Sequence, residues 1–157
     1  MLRVRILIIA VIMSSVSTLQ AQKATSKFVS KYADLAIALK EKWGIPVSII
    51  LGVSTLESGS GTSINCKQLN NYFGVTGKNH LKHRRTMYKQ YASAEESFDD
   101  FCGIISRKKY YPKLKNNMSY QTWLAAMNHG NYAGAKDVWV SRVTNIIKKQ
   151  GLYKYDK

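Results

Sequence analysis

Between Glu41 and Glu95 the chain carries one acidic residue, Glu57. It follows Val47, Ile49, Ile50, Leu51, Val53 and Leu56, a stretch apolar on nearly every face and therefore read as a buried helix. Pro46 suits the first turn of that helix, where a missing N–H has no intrahelical partner. Gly59 and Gly61 end it. Glu57 lies four residues after Val53 and seven after Ile50, so it shares their face. It also sits in the last turn, where the helix dipole disfavours negative charge. Desolvation and dipole both raise a carboxyl pKa. A carboxyl kept protonated near neutral pH is what a general acid requires. A Glu that has simply reached the surface at a frayed helix end is the alternative without chemistry.

The elements that must hold this residue are mostly helical. Ser26 is a candidate N-cap for a helix carrying Phe28, Tyr32, Leu35, Leu39 and Trp43 and stopped by Gly44. Residues 59–75 read as loop. Residues 76–92, with Thr86 and Tyr88, have strand-like content and are expected to form a short hairpin. Its tip, His80-Leu81-Lys82-His83-Arg84-Arg85, is strongly basic. Ser93-Ala94-Glu95-Glu96 has capping-box spacing before a helix carrying Phe98, Phe101, Cys102 and Ile105. That gives Glu95, Glu96, Asp99 and Asp100 a structural reason to lie near a helix N-terminus. A connector spans 107–118. Ser119 caps a short helix with Trp123, Leu124 and Met127. A last helix begins near Asp137, carries Trp139, Val143, Ile146 and Ile147 on one face, and stops at Gly151. The count is about five helices and one hairpin, an α+β, mainly α domain.

Residues 1–21 read as a cleaved secretory signal: Arg3 and Arg5, an apolar run from Ile6 to Val16, and Ala21 before Gln22. An uncleaved amino-terminal anchor is the alternative, although the run is short for a span. Residues 22–157 then form a single domain. Removing Arg3 and Arg5 with the signal lowers the formal net charge from +15 to +13. Such a charge suits an anionic partner, and for an exported protein an anionic envelope polymer is preferred to nucleic acid, for which no recognition motif is present. Solubility alone would also explain it. Export permits a Cys66–Cys102 disulfide, while the apolar face around Cys102 equally suits a buried thiol. No Cys-x-x-Cys or His-Glu-x-x-His motif points to a metal, and no cofactor is expected.

Four motifs occur in order: Leu56-Glu57-Ser58-Gly59-Ser60-Gly61, Asn71-Tyr72-Phe73-Gly74-Val75, Tyr91-x-Ser93-x-Glu95-Glu96-Ser97, and Tyr132-Ala133 before the last helix. Together, over roughly residues 27–156, they resemble the glucosaminidase domain of glycoside hydrolase family 73, the flagellar- and autolysin-type peptidoglycan hydrolases. The resemblance implies a lysozyme-like fold with a groove between a helical lobe and a small β-hairpin lobe. It implies cleavage of peptidoglycan glycan strands after N-acetylglucosamine, in a periplasmic or extracellular, wall-associated location. Glu57 falls on the family's general acid, Phe73 on the aromatic beside it and Tyr132 on the active-site tyrosine. Asn71, Phe73, Tyr91 and His129 are the candidate substrate contacts. Tyr72 and Tyr91 suit sugar stacking or plain core packing equally well.

Two departures from the pattern stand out. The tyrosine motif continues Gly134-Ala135-Lys136-Asp137 where the family has Thr-Asp-Pro, and no second carboxylate lies between Glu57 and Glu95. Three courses need only one carboxyl: attack by the substrate's own 2-acetamido group, a water held by Tyr132 and backbone groups, or lytic transglycosylation. A lytic transglycosylase, a muramidase, and a catalytically inactive envelope-binding module are the competing readings.

Overall fold

The structure, a computed structural model, describes residues 2–134 and 136–157, and side chains from residue 20 onward except 21, 24 and 136. The expected export signal, residues 1–21, thus lies almost wholly outside the described side chains. Among the described residues there are seven α-helices: α1 Leu2–Trp43, α2 Val47–Ser58, α3 Ile64–Leu69, α4 Ala94–Ser106, α5 Tyr111–Leu114, α6 Tyr120–His129 and α7 Lys136–Gln150. A 3-10 turn over Leu152–Asp156 closes the chain. None of these helices is long and apolar enough, over the described residues, to cross a membrane.

Helix α2 is the axis of the domain. Val47, Ile49, Ile50, Leu51 and Val53 are all fully buried, each contributing roughly 1.5–3 kcal/mol of transfer free energy. Around them pack α1, α6, α7 and the 3-10 turn. Pro46 is the N-cap of α2 rather than its first residue and offers no side-chain cap. Asp156 supplies one from the far end of the chain, its Oδ1 accepting from the Ser48 N–H at 2.9 Å. At the other end Gly59 adopts the left-handed conformation, and the N–H groups of Gly59 and Ser60 bond the carbonyls of Leu56 and Thr55. This fixes where Glu57 leaves the helix.

Gly52 sets how closely α7 approaches. A Cβ there would lie 2.9 Å from Ile147 Cγ1 and 3.2 Å from Val143 Cγ1, too tight for the branched carbons of packed side chains. Gly52→Val is expected to destabilise the domain by about 1–3 kcal/mol, read from denaturant midpoints. An unchanged midpoint would show that α7 can move outward freely.

The α+β expectation is corrected by the structure. Among the described residues there is no β-strand, hence no β-hairpin lobe; only an isolated antiparallel bridge joins Thr76 and Tyr88. Side-chain amides explain this. Asn71 Nδ2 donates to the carbonyls of Val75 and Lys89, both at 2.8 Å. Asn79 Nδ2 donates to those of Thr86 and Tyr88, at 3.0 and 2.9 Å. The Val75 carbonyl still accepts the Lys89 N–H at 2.8 Å, but the return bond from Val75 N–H to the Lys89 carbonyl is replaced at both ends by the Asn71 amide, and the segment is a pinned loop. The helix count rises above five because the stretches read as loop and connector contain α3, capped by Ser63, and α5, with Pro112 in its first turn. Ser26 caps nothing, since α1 runs through it. Ser93 and Ser119 do cap α4 and α6.

Candidate active site

Glu57 stands at the wall of a cleft of about 520 Å³ between α2, the 73–76 loop and the start of α7. Trp139, buried on α7, donates its indole Nε1–H to Glu57 Oε1 at 2.9 Å. The carboxyl is half-buried, and desolvation raises its pKa above the ordinary Glu value, only partly opposed by the Trp139 hydrogen bond. A proton is therefore retained to higher pH than on a solvated glutamate, and Oε2 stays available toward the cleft. Gly74 brings the opposite backbone close: a Cβ on it would sit 3.9 Å from Glu57 Oε2. Its φ of +67° favours glycine at that position.

The floor is a run of aromatic rings. Phe73 stacks on Phe101 with centroids 4.1 Å apart, and Phe101 meets the Tyr132 edge at 6.1 Å. Tyr132 then tilts against Trp139 at 5.0 Å. Asn131, at φ 54°, turns the chain out of α6, and Tyr132 N–H bonds the Met127 carbonyl at 3.0 Å. Burial, and next the negative charge of Glu57, push the Tyr132 phenol well above its usual range. It stays a neutral hydroxyl, able to donate or accept a hydrogen bond at working pH.

The structure brings Glu57, Phe73 and Tyr132 together in this cleft. The other expected residues lie elsewhere. Asn71 is buried, and its amide holds the 75–89 loop in the bonds described above, with Oδ1 accepting from Val75 N–H at 3.1 Å. It shapes the cleft from behind. Tyr91 is buried with its hydroxyl donating to Asp100 Oδ2 at 2.7 Å, away from the cleft lining. Tyr72 is buried against Tyr32, the two hydroxyl oxygens 2.6 Å apart. His129 is exposed at the end of α6, in a separate groove with Asp137 and Ser141. Glu95 is exposed at the α4 N-terminus, while Glu96 Oε2 accepts from Ala92 N–H at 2.7 Å, completing the cap. Both cysteines are buried, free thiols.

Tyr88, Lys108 and Trp139 also line the cleft, and sequence reasoning did not assign them to it. Trp139 carried a signal: a buried indole N–H needs an acceptor, and Glu57 was the acidic residue with no other explanation. Tyr88 and Lys108 carried none, because their positions depend on how two loops fold back.

Compared with curated protein sequences, the chain finds no significant match. Among solved structures it is similar to the catalytic domain of the autolysin Auto from Listeria monocytogenes, at 22% identity and a TM-score of 0.69, covering 84% of this chain and 87% of that one. It is also similar to the glycoside hydrolase domain of FlgJ from Salmonella typhimurium, at 21% identity and a TM-score of 0.64, covering 81% and 88%. A third is a peptidoglycan hydrolase from Sphingomonas sp. A1, at 20% identity and a TM-score of 0.65, covering 83% and 92%. At these identities the likeness is one of fold. Family membership rests on the profile of the glucosaminidase family, described as mannosyl-glycoprotein endo-beta-N-acetylglucosaminidase, which matches residues 33–152 and so takes in both walls of the cleft. The chain belongs to this glucosaminidase family of glycoside hydrolases, the one its four ordered motifs resemble.

Proposed function

We propose that the protein is an endo-β-N-acetylglucosaminidase that cuts the glycan strand of peptidoglycan, with Glu57 as the general acid. The observation that carries this reading is the carboxyl itself: half-buried, raised in pKa, held by Trp139 and lining a cleft of about 520 Å³. Glu57 is the only carboxylate among the residues lining that cleft. A mechanism with two opposed carboxylates therefore has no second partner there. The 2-acetamido group of the sugar fills the role. Its carbonyl oxygen attacks the anomeric carbon as the glycosidic oxygen leaves with the Glu57 proton. Water then opens the resulting ring, and the Glu57 carboxylate takes back a proton. In this reading Tyr132, neutral and in the lining of the same cleft, hydrogen-bonds the acetamido group, and Tyr88, also in the lining, stacks on a pyranose.

Digestion of purified peptidoglycan, followed by mass spectrometry of the ends, tests the reading. Reducing N-acetylglucosamine is expected. Reducing N-acetylmuramic acid would make the protein a muramidase, and anhydro ends a lytic transglycosylase. Wall binding without any cleavage would make it a binding module.

The proposed site of action is outside the cytoplasm. A mature chain beginning near Gln22 and working outside the cytoplasm fits the charged and apolar pattern of residues 1–21. Intact-mass analysis of the exported protein should show residues 1–21 removed; finding them retained would support an anchor.

Anionic envelope polymers are the proposed second contact. Lys78, His80, Arg84 and Arg85 gather around a hollow in the 77–86 loop. Arg84 is occupied in part, donating to Gln68 Oε1 at 3.0 Å and Asn65 Oδ1 at 2.8 Å. It ties the loop to α3, so Lys82 and Arg85 are the cleaner pair to change. Replacing both by Gln should weaken wall binding several-fold at low salt and little at high salt, because exposed charges are screened over about 8 Å at physiological ionic strength. Equal binding at low salt would leave the basic loop a matter of solubility.

A further inference from the structure

Lys108 lines the same cleft as Glu57, half-buried in the turn between α4 and α5. Its backbone is fixed on both sides: its N–H bonds the Ile105 carbonyl at 3.0 Å, and its carbonyl accepts from Tyr111 N–H at 2.9 Å. Ile104, on the last turn of α4, lines the same cleft and gives the lysine an apolar neighbour in that lining. Among the described residues its ammonium has no carboxylate within salt-bridge distance and no hydrogen-bond partner; the three ion pairs there involve Lys40, Lys42 and Lys89. The pKa of Glu57 answers first to burial and then to the Trp139 hydrogen bond.

A half-buried cation in the lining of a sugar-sized cleft, left unpaired by the described residues, is suited to an anion on the ligand. N-acetylglucosamine is neutral. The muramyl residue of peptidoglycan carries a lactyl ether whose carboxylate is either free or extended by a stem peptide with carboxylates of its own. We propose that Lys108 is a specificity-determining substrate contact, binding a carboxylate of the muramyl substituent and so selecting peptidoglycan glycan over uncharged N-acetylglucosamine polymer. This inference rests on the reading of the cleft as a glycan site.

The test compares wild type, Lys108→Gln and Lys108→Arg on three substrates. These are neutral N-acetylglucosamine oligomers, peptide-stripped peptidoglycan glycan with free lactyl carboxylates, and glycan with its stems. Lys108→Gln should lower kcat/KM on the carboxylate-bearing glycan roughly tenfold, mainly through KM, as expected for loss of a partly exposed charge-assisted hydrogen bond. The neutral oligomer should stay within about twofold, Lys108→Arg should recover most of the loss, and added salt should shrink it. A deficit on stripped glycan assigns the lactyl carboxylate; one confined to stem-bearing glycan assigns the peptide. An equal loss on neutral and charged substrates, or no loss on any, overturns the proposal. Calorimetric binding of the same glycans to Glu57→Gln and to the Glu57→Gln/Lys108→Gln double variant separates this inference from the hydrolase reading. If wild type cuts nothing, that reading fails. The Lys108 contact then stands if the double variant binds the charged glycan roughly tenfold more weakly than Glu57→Gln does, and falls if the two bind alike.

Discussion

Glu57→Gln is expected to fold, to bind glycan and to lose about 10²–10⁴-fold in cleavage rate, the range for removing a positioned proton donor. Gln keeps the shape and an oxygen to accept from Trp139 while removing the transferable proton. The same substitution has a stability signature of definite sign. Burial raises the Glu57 pKa in the folded state, so the folded chain binds this proton more tightly than the unfolded chain. The stabilisation is fully present below the unfolded carboxyl value and is lost as pH rises through the folded one. The Gln variant has no such loss. Its melting temperature relative to wild type should therefore rise as pH increases from below the ordinary carboxyl value through the raised folded-state value. Glu95→Gln and Glu96→Gln, at the α4 cap, should lose no more than roughly 1 kcal/mol of stability and keep most activity. A dead Glu95→Gln beside an active Glu57→Gln would reassign the acid.

Trp139→Phe should produce the second large effect. The ring keeps its place against Tyr132, but the donor to Glu57 Oε1 is gone. Loss of the bond that orients the carboxyl is expected to lower the cleavage rate roughly tenfold. Its direction on pH is diagnostic. The Trp139 hydrogen bond lowers the Glu57 pKa, against the larger effect of burial. Without it the acid holds its proton to higher pH, so the alkaline limb of the rate profile should move upward. A downward or unchanged limb would mean that the indole does not bond the ionised carboxylate during turnover.

Much of this site could be read before the fold was seen. The largely apolar run of α2 announced a buried helix, Gly59 its end, and Glu57 the one carboxyl stranded on it. Phe73 and Tyr132 came from ordered motifs and do meet Glu57 in one cleft. Capping at Ser93 and Ser119 was equally local and equally legible, because a cap is made within four residues. What could not be read was non-local or side-chain mediated. Thr86 and Tyr88 favour strand, but Asn71 and Asn79 intercept the carbonyls and leave a single bridge. The α2 N-terminus is capped across 108 positions by Asp156. Tyr91 looked as fit for sugar as for core, and only the Asp100 contact shows where its hydroxyl goes. Lys108 joins the cleft only because α4 ends beside the 73–76 loop.

Leaving-group dependence tests the central claim most directly. A general acid matters when the departing oxygen is a poor leaving group and matters little when it leaves unaided. Wild type and Glu57→Gln should be compared on a peptidoglycan strand and on an N-acetylglucosamine oligomer with a dinitrophenyl group at its reducing end. If Glu57 is the acid, the deficit of about 10²–10⁴-fold on the natural strand should shrink to roughly tenfold or less on the dinitrophenyl glycoside. An equally deep deficit on both substrates would contradict the assignment, since it would place Glu57 in binding or structure rather than in proton transfer.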